Sequence, residues 1–373
     1  MRQMSNEREI AIVLGTRPEI IKLAPIIREC EAQSIPYTVI HTGQHYSDSL
    51  TSVFFEELSL PKPEYELSVG SGTHGQQTGQ MIIDIEAVLL EEEPDVVLVQ
   101  GDTNSVLSGA IACCKLSIEL GHVEAGLRSR DREMPEERNR VLADHASEYL
   151  FAPTAQSKRS LREEGIDDDR IHVTGNTVVD AVRQHKRVAM AETSVFDDYD
   201  LTRGEYCLLT AHRAETVDDE GRFASLLEGV GRVAERLDQD VLYPIHPRAA
   251  NAVAEFGLEI PDRVRTVDPL DYIDFLALES GATLILTDSG GVQEEACILG
   301  VPCVTLRENT ERPETLAVDA NVLAGTDPQS IYEGAREMLD RSPNWENPFG
   351  DGDAAARIVD VIRQSETPAR VAG

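Results

Sequence analysis

Short apolar runs of strand length recur along this chain, each followed through a turn by a longer stretch whose apolar positions repeat at helical spacing. EIAIVL gives way to GTRPEIIKLAPIIREC, where Pro18 suits a first helical position and Thr16 with Glu19 has the form of a capping box. The same unit returns at DVVLVQGDTNSVLSGAIACCKL, at GHVEAG, at EYLFAPTAQSKRSLREEG and at RIHVTGNTVVDAVRQH. Around 187–204 the pattern lapses into MAETSVFDDYDLTRG, a polar and acidic stretch that reads as a linker. It resumes at EYCLLTAHR, FASLLEGVGRVAERL, DVLYPIHP, VRTVDPLDYIDFLALE and ATLILTDSGGVQEEACILGVPCVTL. Strands alternating with helices predict a parallel sheet covered on both faces. The expected fold is therefore α/β, with two parallel-sheet domains and a ligand in a central cleft facing the carboxyl ends of the strands.

The residues that follow the strands carry the chemistry. In LILTDSGGVQEEA, Ser289, Gly290 and Gly291 stand between a buried strand and a helix, where glycines let an anion approach the backbone and a helix N-terminus offers free N–H groups. Glu295, four residues after Gly291, lies on the same helix face and is placed to accept hydrogen bonds from ribose hydroxyls. A tight packing turn with a solvated Glu294–Glu295 pair is the plainer alternative. Arg17 and Lys22 sit in and just after the first turn, as cations for an anionic substrate or as a surface pair. Asp102 in QGDT, Glu124 in HVEAGLR and Glu136 in MPEERNR follow strand-like runs of the first half. Each alone reads as readily as a cap, but three together suggest acid–base machinery with at least one raised pKa. His212 in TAHRAE and His246 in YPIHPR follow strands of the second half and suit phosphate contacts or proton handling. Neither has a His or Cys at metal-ligand spacing, and GxGxxG is missing, so neither a metal nor a redox cofactor is expected.

Composition narrows the partners. The formal charge of −33 comes from 67 acidic against 34 basic residues, only five of them lysine (Lys22, Lys62, Lys115, Lys158, Lys186). Nucleic acid, which demands a basic surface, is an unfit partner. The charge reads as adaptation to high salt, where the Debye length falls to about 3 Å at 1 M ions. Six cysteines without C-x-x-C spacing read as small buried hydrophobes rather than disulfides or zinc ligands. The chain has no apolar run of membrane-spanning length and a charged N-terminus, which predicts a cytoplasmic protein without a membrane partner.

Taken together, GTRPEIIK, TGQH, QGDT, GHVEAGLR, MPEERNR, TAHR, TDSGGVQEEA and TERPET resemble the non-hydrolysing UDP-N-acetylglucosamine 2-epimerases, in that family's order and spacing. The resemblance implies a GT-B-like fold of two Rossmann-like parallel-sheet domains facing a central cleft: an N-terminal domain over 1–188, a UDP-binding domain over 189–352, and over 353–373 a helix packing back on the first domain with a loose tail. It implies reversible C2 epimerisation of UDP-N-acetylglucosamine to UDP-N-acetylmannosamine, through loss and re-addition of UDP and an acetamido-glycal intermediate. Asp102, Glu124, Glu136 and His212 match catalytic positions. Arg17, Lys22, Asn176, His246, Ser289, Gly290, Gly291, Glu295 and Arg312 match substrate-binding ones. Gln44, His45 and Gln77 match part of a regulatory UDP-sugar site, while Ser47 and Gln76 depart from it. A homodimer and a role in polysaccharide or glycan-precursor synthesis are implied as well. Competing readings are a hydrolysing epimerase, an epimerase of a modified UDP-sugar, a GT-B glycosyltransferase, and a non-catalytic nucleotide-sugar sensor.

Overall fold

The computed structural model describes residues 8–44, 54–69 and 72–365. Backbone contacts divide the chain into two units, one of Met1–Ala181 with Phe349–Gly373 and one of Val182–Pro348. Each is built on its own parallel sheet, as the alternating pattern predicts.

The first unit holds β1 (Ile10–Leu14), β2 (Tyr37–His41), β3 (Tyr65–Glu66), β4 (Val96–Gln100), β5 (Glu119–Val123), β6 (Tyr149–Ala152) and β7 (Ile171–Val173). Their spatial order is β3-β2-β1-β4-β5-β6-β7, every described pair parallel. Strands β1 and β4 are buried at every position, as a strand between two helical layers must be. Chain order reverses between β1 and β4, so the turns after these strands part and open a crevice. The capping box at Thr16 and Glu19 forms and starts the helix Arg17–Gln33. Gly15 precedes it because a Cβ there would collide with the hydroxyls of Thr42 and Ser105.

The helix Ala354–Gln364 belongs to this unit and packs on Arg17–Gln33. Asp180 accepts the N–H groups of Ala354 and Ala355 at 3.3 and 3.0 Å, which fixes its start. Burial pushes the Asp180 carboxyl above its ordinary value despite those bonds.

The second unit holds β8 (Tyr206–Thr210), β9 (Asp240–Pro244), β10 (Val264–Val267), β11 (Leu284–Thr287), β12 (Cys303–Thr305) and β13 (Asn321–Leu323), in the order β10-β9-β8-β11-β12-β13. Here the reversal lies between β8 and β11, so the turns carrying His212 and Ser289 flank it.

The stretch read as a linker is largely structured. The helix Thr177–Glu192 runs into it, a short helix Val195–Asp198 follows, and Val195 is buried in the second unit's core with Phe196 packed beside it. Its few apolar side chains, spaced among acids, suffice to pin it. Five cysteines are buried, and Cys114 is exposed. Among the described residues no helix is long and apolar enough to cross a membrane.

Candidate active site

In the first unit the candidate side chains Arg17, Asp102 and Glu124 stand on or directly after the turns that follow β1, β4 and β5. Glu124 comes directly after β5 in a left-handed backbone conformation, φ 71°, that turns its side chain away from the strand's alternation. It is buried, and its carboxylate collects nitrogen donors from three directions. The Lys22 ammonium donates to both oxygens at 2.8 and 2.9 Å, Asn176 Nδ2 to one at 3.0 Å, and Gln100 Nε2 to the other. Lys22 is thus no snorkelling surface cation: it is an internal counter-ion, 12% exposed against 4% for its partner.

Asp102 lies on the neighbouring turn and keeps a third of its side chain in solvent. Arg140 donates to its carboxylate, and Asn139 Nδ2 to its main-chain carbonyl at 2.9 Å. On one side of it, the Gly101 carbonyl meets His122 Nε2 at 2.8 Å. On the other, the Thr103 hydroxyl donates to Glu19 at 2.7 Å. Glu19 also accepts the N–H groups of Gly15 and Thr16 at 2.9 and 2.7 Å, so one carboxyl ties the β1 turn to the β4 turn. Burial pushes that carboxyl up to about 7 although its three donors pull the other way.

The structure does not bring Glu136 into this group. It is exposed on the first turn of the helix Pro135–Ala146, and among the described residues no hydrogen bond or ion pair joins it to Asp102 or Glu124. Its neighbour Glu137 turns inward instead, accepting from Ser129 N and Oγ, both at 2.9 Å, from Arg130 N at 3.0 Å and from Arg140 at 3.1 Å. Arg17 stacks its guanidinium 4.8 Å from the centre of the Phe54 ring. Gln44 is buried and uses its amide oxygen on Ser105, accepting from N at 3.0 Å and Oγ at 2.7 Å. Gln77 is half-buried on the helix His74–Glu92, and His45 lies outside the described residues.

In the second unit Asp288, at the end of β11, organises the turn after β8. It accepts the main-chain N–H groups of His212 and Arg213, both at 2.8 Å, and its other oxygen lies 3.2 Å from His212 Nδ1. The His212 and His246 rings stand 5.6 Å apart. His246 Nδ1 accepts the Arg248 N–H at 3.1 Å, so its proton is carried on Nε2. Burial, then the neighbouring His212 and Arg248, holds His246 below its ordinary value. Ser289 caps the helix Gly290–Leu299 without spending its hydroxyl on the cap, and Gly290 is buried while Gly291 is exposed. The first N–H groups of such a helix have no acceptor of their own and suit an anion.

Glu295 is half-buried on this helix, against Glu279 of the helix Tyr272–Gly281. Glu279 is fully buried, and burial first, then the Glu295 charge, raises its carboxyl well above the ordinary range. Two carboxyl groups hydrogen-bond only if one keeps its proton, and Glu279 is the one that does. Arg312 forms an ion pair with buried Glu294 at 2.9 Å. Glu311 is half-buried, which raises its carboxyl, but a two-pronged contact with Arg307 at 2.9 and 3.1 Å outweighs this and lowers it to about 2. Among the described residues no group of three or more His, Cys, Asp or Glu stands where it could hold a metal ion.

Sequence reasoning missed His122, Asp144 and Asp288 as organisers of these turns, and read Glu19 as the capping-box partner of Thr16 without its tie to Thr103. The signal was available for His122: a titratable residue inside a buried apolar strand must have polar partners.

A family model for UDP-N-acetylglucosamine 2-epimerase matches residues 28–363. A UDP-N-acetylglucosamine 2-epimerase of Methanocaldococcus jannaschii is 52% identical over 360 residues, 95% of this chain and 98% of that protein. The M. jannaschii UDP-GlcNAc 2-epimerase solved in complex with UDP-GlcNAc and UDP superimposes with a TM-score of 0.86, covering 95% of this chain and 99% of that one. The Neisseria meningitidis UDP-GlcNAc 2-epimerase bound to UDP-GlcNAc gives 0.87 at 32% identity, covering 96% and 100%. A UDP-2,3-diacetamido-2,3-dideoxy-D-glucuronate 2-epimerase of Pseudomonas aeruginosa is 38% identical, covering 95% of this chain and 99% of that protein.

Proposed function

The chain belongs to the UDP-N-acetylglucosamine 2-epimerase family, and from that premise we propose that it interconverts UDP-N-acetylglucosamine and UDP-N-acetylmannosamine without releasing the free sugar. The observation that carries the reading is the pair of carboxylates on adjacent turns, Glu124 gripped by Lys22, Asn176 and Gln100, and Asp102 gripped by Arg140. A C2 hydrogen is weakly acidic, and removing it takes a carboxylate held in place and kept from solvent.

In this scheme one carboxylate takes the C2 proton. The C2–H electron pair forms the C1–C2 double bond of an acetamido glycal, and the C1–O bond breaks with its pair leaving on the UDP β-phosphate. UDP then adds back at C1 while a proton is delivered to the other face of C2. The departing diphosphate needs hydrogen-bond donors, which the Ser289–Gly290–Gly291 turn and its helix N-terminus supply, with the His212 ring as a further polar contact. Glu295, held by protonated Glu279, takes the ribose. Glu136 enters the chemistry in this reading only by moving from its exposed position. The ion pair with buried Glu294 gives Arg312 a structural share in the same turn.

Incubation with UDP-N-acetylglucosamine in D2O, followed by NMR at C2, tests the scheme. Epimer formed with deuterium at C2 supports it, free N-acetylmannosamine would move the chain to the hydrolysing type, and unchanged substrate would remove the epimerase reading. A second substrate class is favoured by one finding, the P. aeruginosa relative that acts on a 2,3-diacetamido uronate sugar. Running that UDP-sugar beside UDP-N-acetylglucosamine separates the two. A homodimer is part of the proposal, supported by Ile83 and Leu90, exposed seven residues apart on one face of the helix His74–Glu92. So are a cytoplasmic location and service to glycan-precursor synthesis, both consistent with a UDP-sugar substrate.

A further inference from the structure

Beneath the turns bearing Asp102 and Glu124 lies an ion network that the proposed chemistry does not touch. His122 of β5 and Asp144 of the helix Pro135–Ala146 are fully buried. His122 Nδ1 lies 2.6 Å from Asp144 Oδ1, and Nε2 lies 2.8 Å from the Gly101 carbonyl oxygen. The other Asp144 oxygen accepts the Gly126 N–H at 3.2 Å and an Arg128 guanidinium N–H at 2.7 Å. Arg128 in turn donates twice to Glu164, both at 2.7 Å, and to the Leu127 carbonyl at 2.6 Å.

Both ring nitrogens of His122 therefore face acceptors that have no proton to give, a carboxylate and an amide carbonyl. A neutral imidazole has one N–H, so either tautomer would aim a bare lone pair at an oxygen. Only the imidazolium satisfies both ends. Burial works against that charge, and Asp144 and the Gly101 carbonyl overcome it, raising the His122 pKa. Burial likewise opposes the Asp144 charge, and His122 and Arg128 overcome it, lowering that pKa.

We propose that His122 is a permanently charged positioning residue for the epimerisation, clamping the turn of Asp102 to the turn of Glu124. One ring nitrogen holds the carbonyl immediately before Asp102. The other acts through Asp144 on the N–H of Gly126, two residues after Glu124. The β4–β5 ladder ends at Gln100 opposite Val123, and beyond it the strands share the Gly101 N–H bond to the Val123 carbonyl at 3.1 Å. The charged bridge is a second tie past the ladder's end, where it can fix the spacing of the two carboxylates. Charge-assisted bonds are shorter and stronger than neutral ones, which suits a clamp that must resist the forces of proton transfer. Gly126 completes the arrangement: its φ of +82° and the closeness of the Ser157 carbonyl leave no room for a Cβ.

The proposal rests on the epimerase reading for its purpose but not for its structure, and two of its readouts need no turnover. In the full-length protein, 15N NMR of the His122 ring should show both nitrogens protonated from about pH 6 to about pH 9, across the unperturbed histidine value of about 6.5. A ring that titrates in that window, or is neutral, overturns the clamp. His122→Gln keeps one donor and no charge. Amide exchange in the segments around Gly101 and Gly126 should quicken at least about tenfold, with the strands behind them unchanged. The kcat for UDP-N-acetylglucosamine should fall by about 10²-fold, the effect of an ångström-scale misplacement, while KM and UDP affinity stay within about threefold. Wild-type kcat in a folded His122→Gln protein overturns the proposal. If that variant does not fold, Asp144→Asn, which breaks the same bridge at its other end, must show the same exchange and kcat pattern, and its failure to do so counts equally. A wild-type protein that leaves C2 unexchanged in D2O refutes the epimerase reading alone, because the ring charge and amide exchange still judge the clamp.

Discussion

Replacing Lys22 with methionine removes the ammonium from Glu124 while nearly preserving volume and helix propensity. Both partners are almost fully enclosed, 12% and 4% exposed, so solvent screens the pair little. Deleting one member of a buried pair costs about 3–5 kcal/mol, and the remaining Asn176 and Gln100 donors put this case near 3 kcal/mol. Glu124→Gln strands the ammonium and should cost a similar amount. The double variant should recover most of the loss, because Gln100 can rotate its amide to meet the new one, and a neutral buried pair replaces a charged pair at little cost. Activity should not return: each variant, double included, should lose about 10²–10⁴-fold in kcat if Glu124 is acid or base. The single tryptophan, Trp345, lies in the second unit, so its fluorescence would report the wrong one. Amide exchange of peptides covering β4 and β5 measures the first unit directly. A Lys22→Met loss below about 1 kcal/mol, the level of an exposed pair, would refute the buried-pair reasoning. So would a double variant as unstable as the two single losses combined.

Two further predictions follow from ionisation. Glu279 has its folded pKa raised above the unfolded value, so its proton is held more tightly in the folded state. The penalty is absent below about pH 4.3 and grows as pH rises toward the folded pKa, at up to about 1.4 kcal/mol per unit. Glu279→Gln, which keeps a donor for Glu295 and removes the proton, should flatten the fall in second-unit stability with rising pH, read by Trp345 fluorescence in urea. An unchanged slope would mean that Glu279 is ionised in the fold. The net charge of −33 predicts that unfolding midpoints rise between dilute buffer and molar KCl as self-repulsion is screened, with equal midpoints contradicting adaptation to salt.

The fold was legible because its cause is periodic. Runs such as IAIVL and VVLVQ are apolar at nearly every position because both faces of the strand are covered, and the glycine-bearing turns after them mark where helices begin. The supposed linker was misread for a reason of the same kind: its acids outnumber its anchors, yet Val195 and Phe196 bury enough to fix it. Turn motifs located Arg17, Asp102, His212 and Ser289 just after the strands that flank the order reversals, with Glu124 and His246 after the next strands out, β5 and β9. What each side chain touches there was not written locally. Lys22 and Glu124 are 102 residues apart, and their pairing exists only once β1 and β5 share a sheet.

The helix Pro135–Ala146 shows where such reading fails and why the failure falls beside the candidate site. Glu137, Arg140 and Asp144 recur at helical spacing and form the inward face, while Leu142 is 55% exposed. Hydropathy alone would turn this helix around. Its polar face is acceptable inside because each group has a counterpart: Glu137 the Ser129 and Arg130 N–H groups, Arg140 the Asp102 carboxylate, Asp144 the His122 and Arg128 cations. Those counterparts lie on the turns after β4 and β5, or, for His122, within β5 itself, so the inversion is a consequence of what this end of the sheet presents. A sheet end that gathers charged side chains for chemistry can be covered only by a helix whose charges match it. An acid-rich helix following such a turn, with an apolar residue where the outer face should be, is therefore itself a sequence mark of a candidate site, and it singles out Glu137 rather than Glu136 as the residue that faces in.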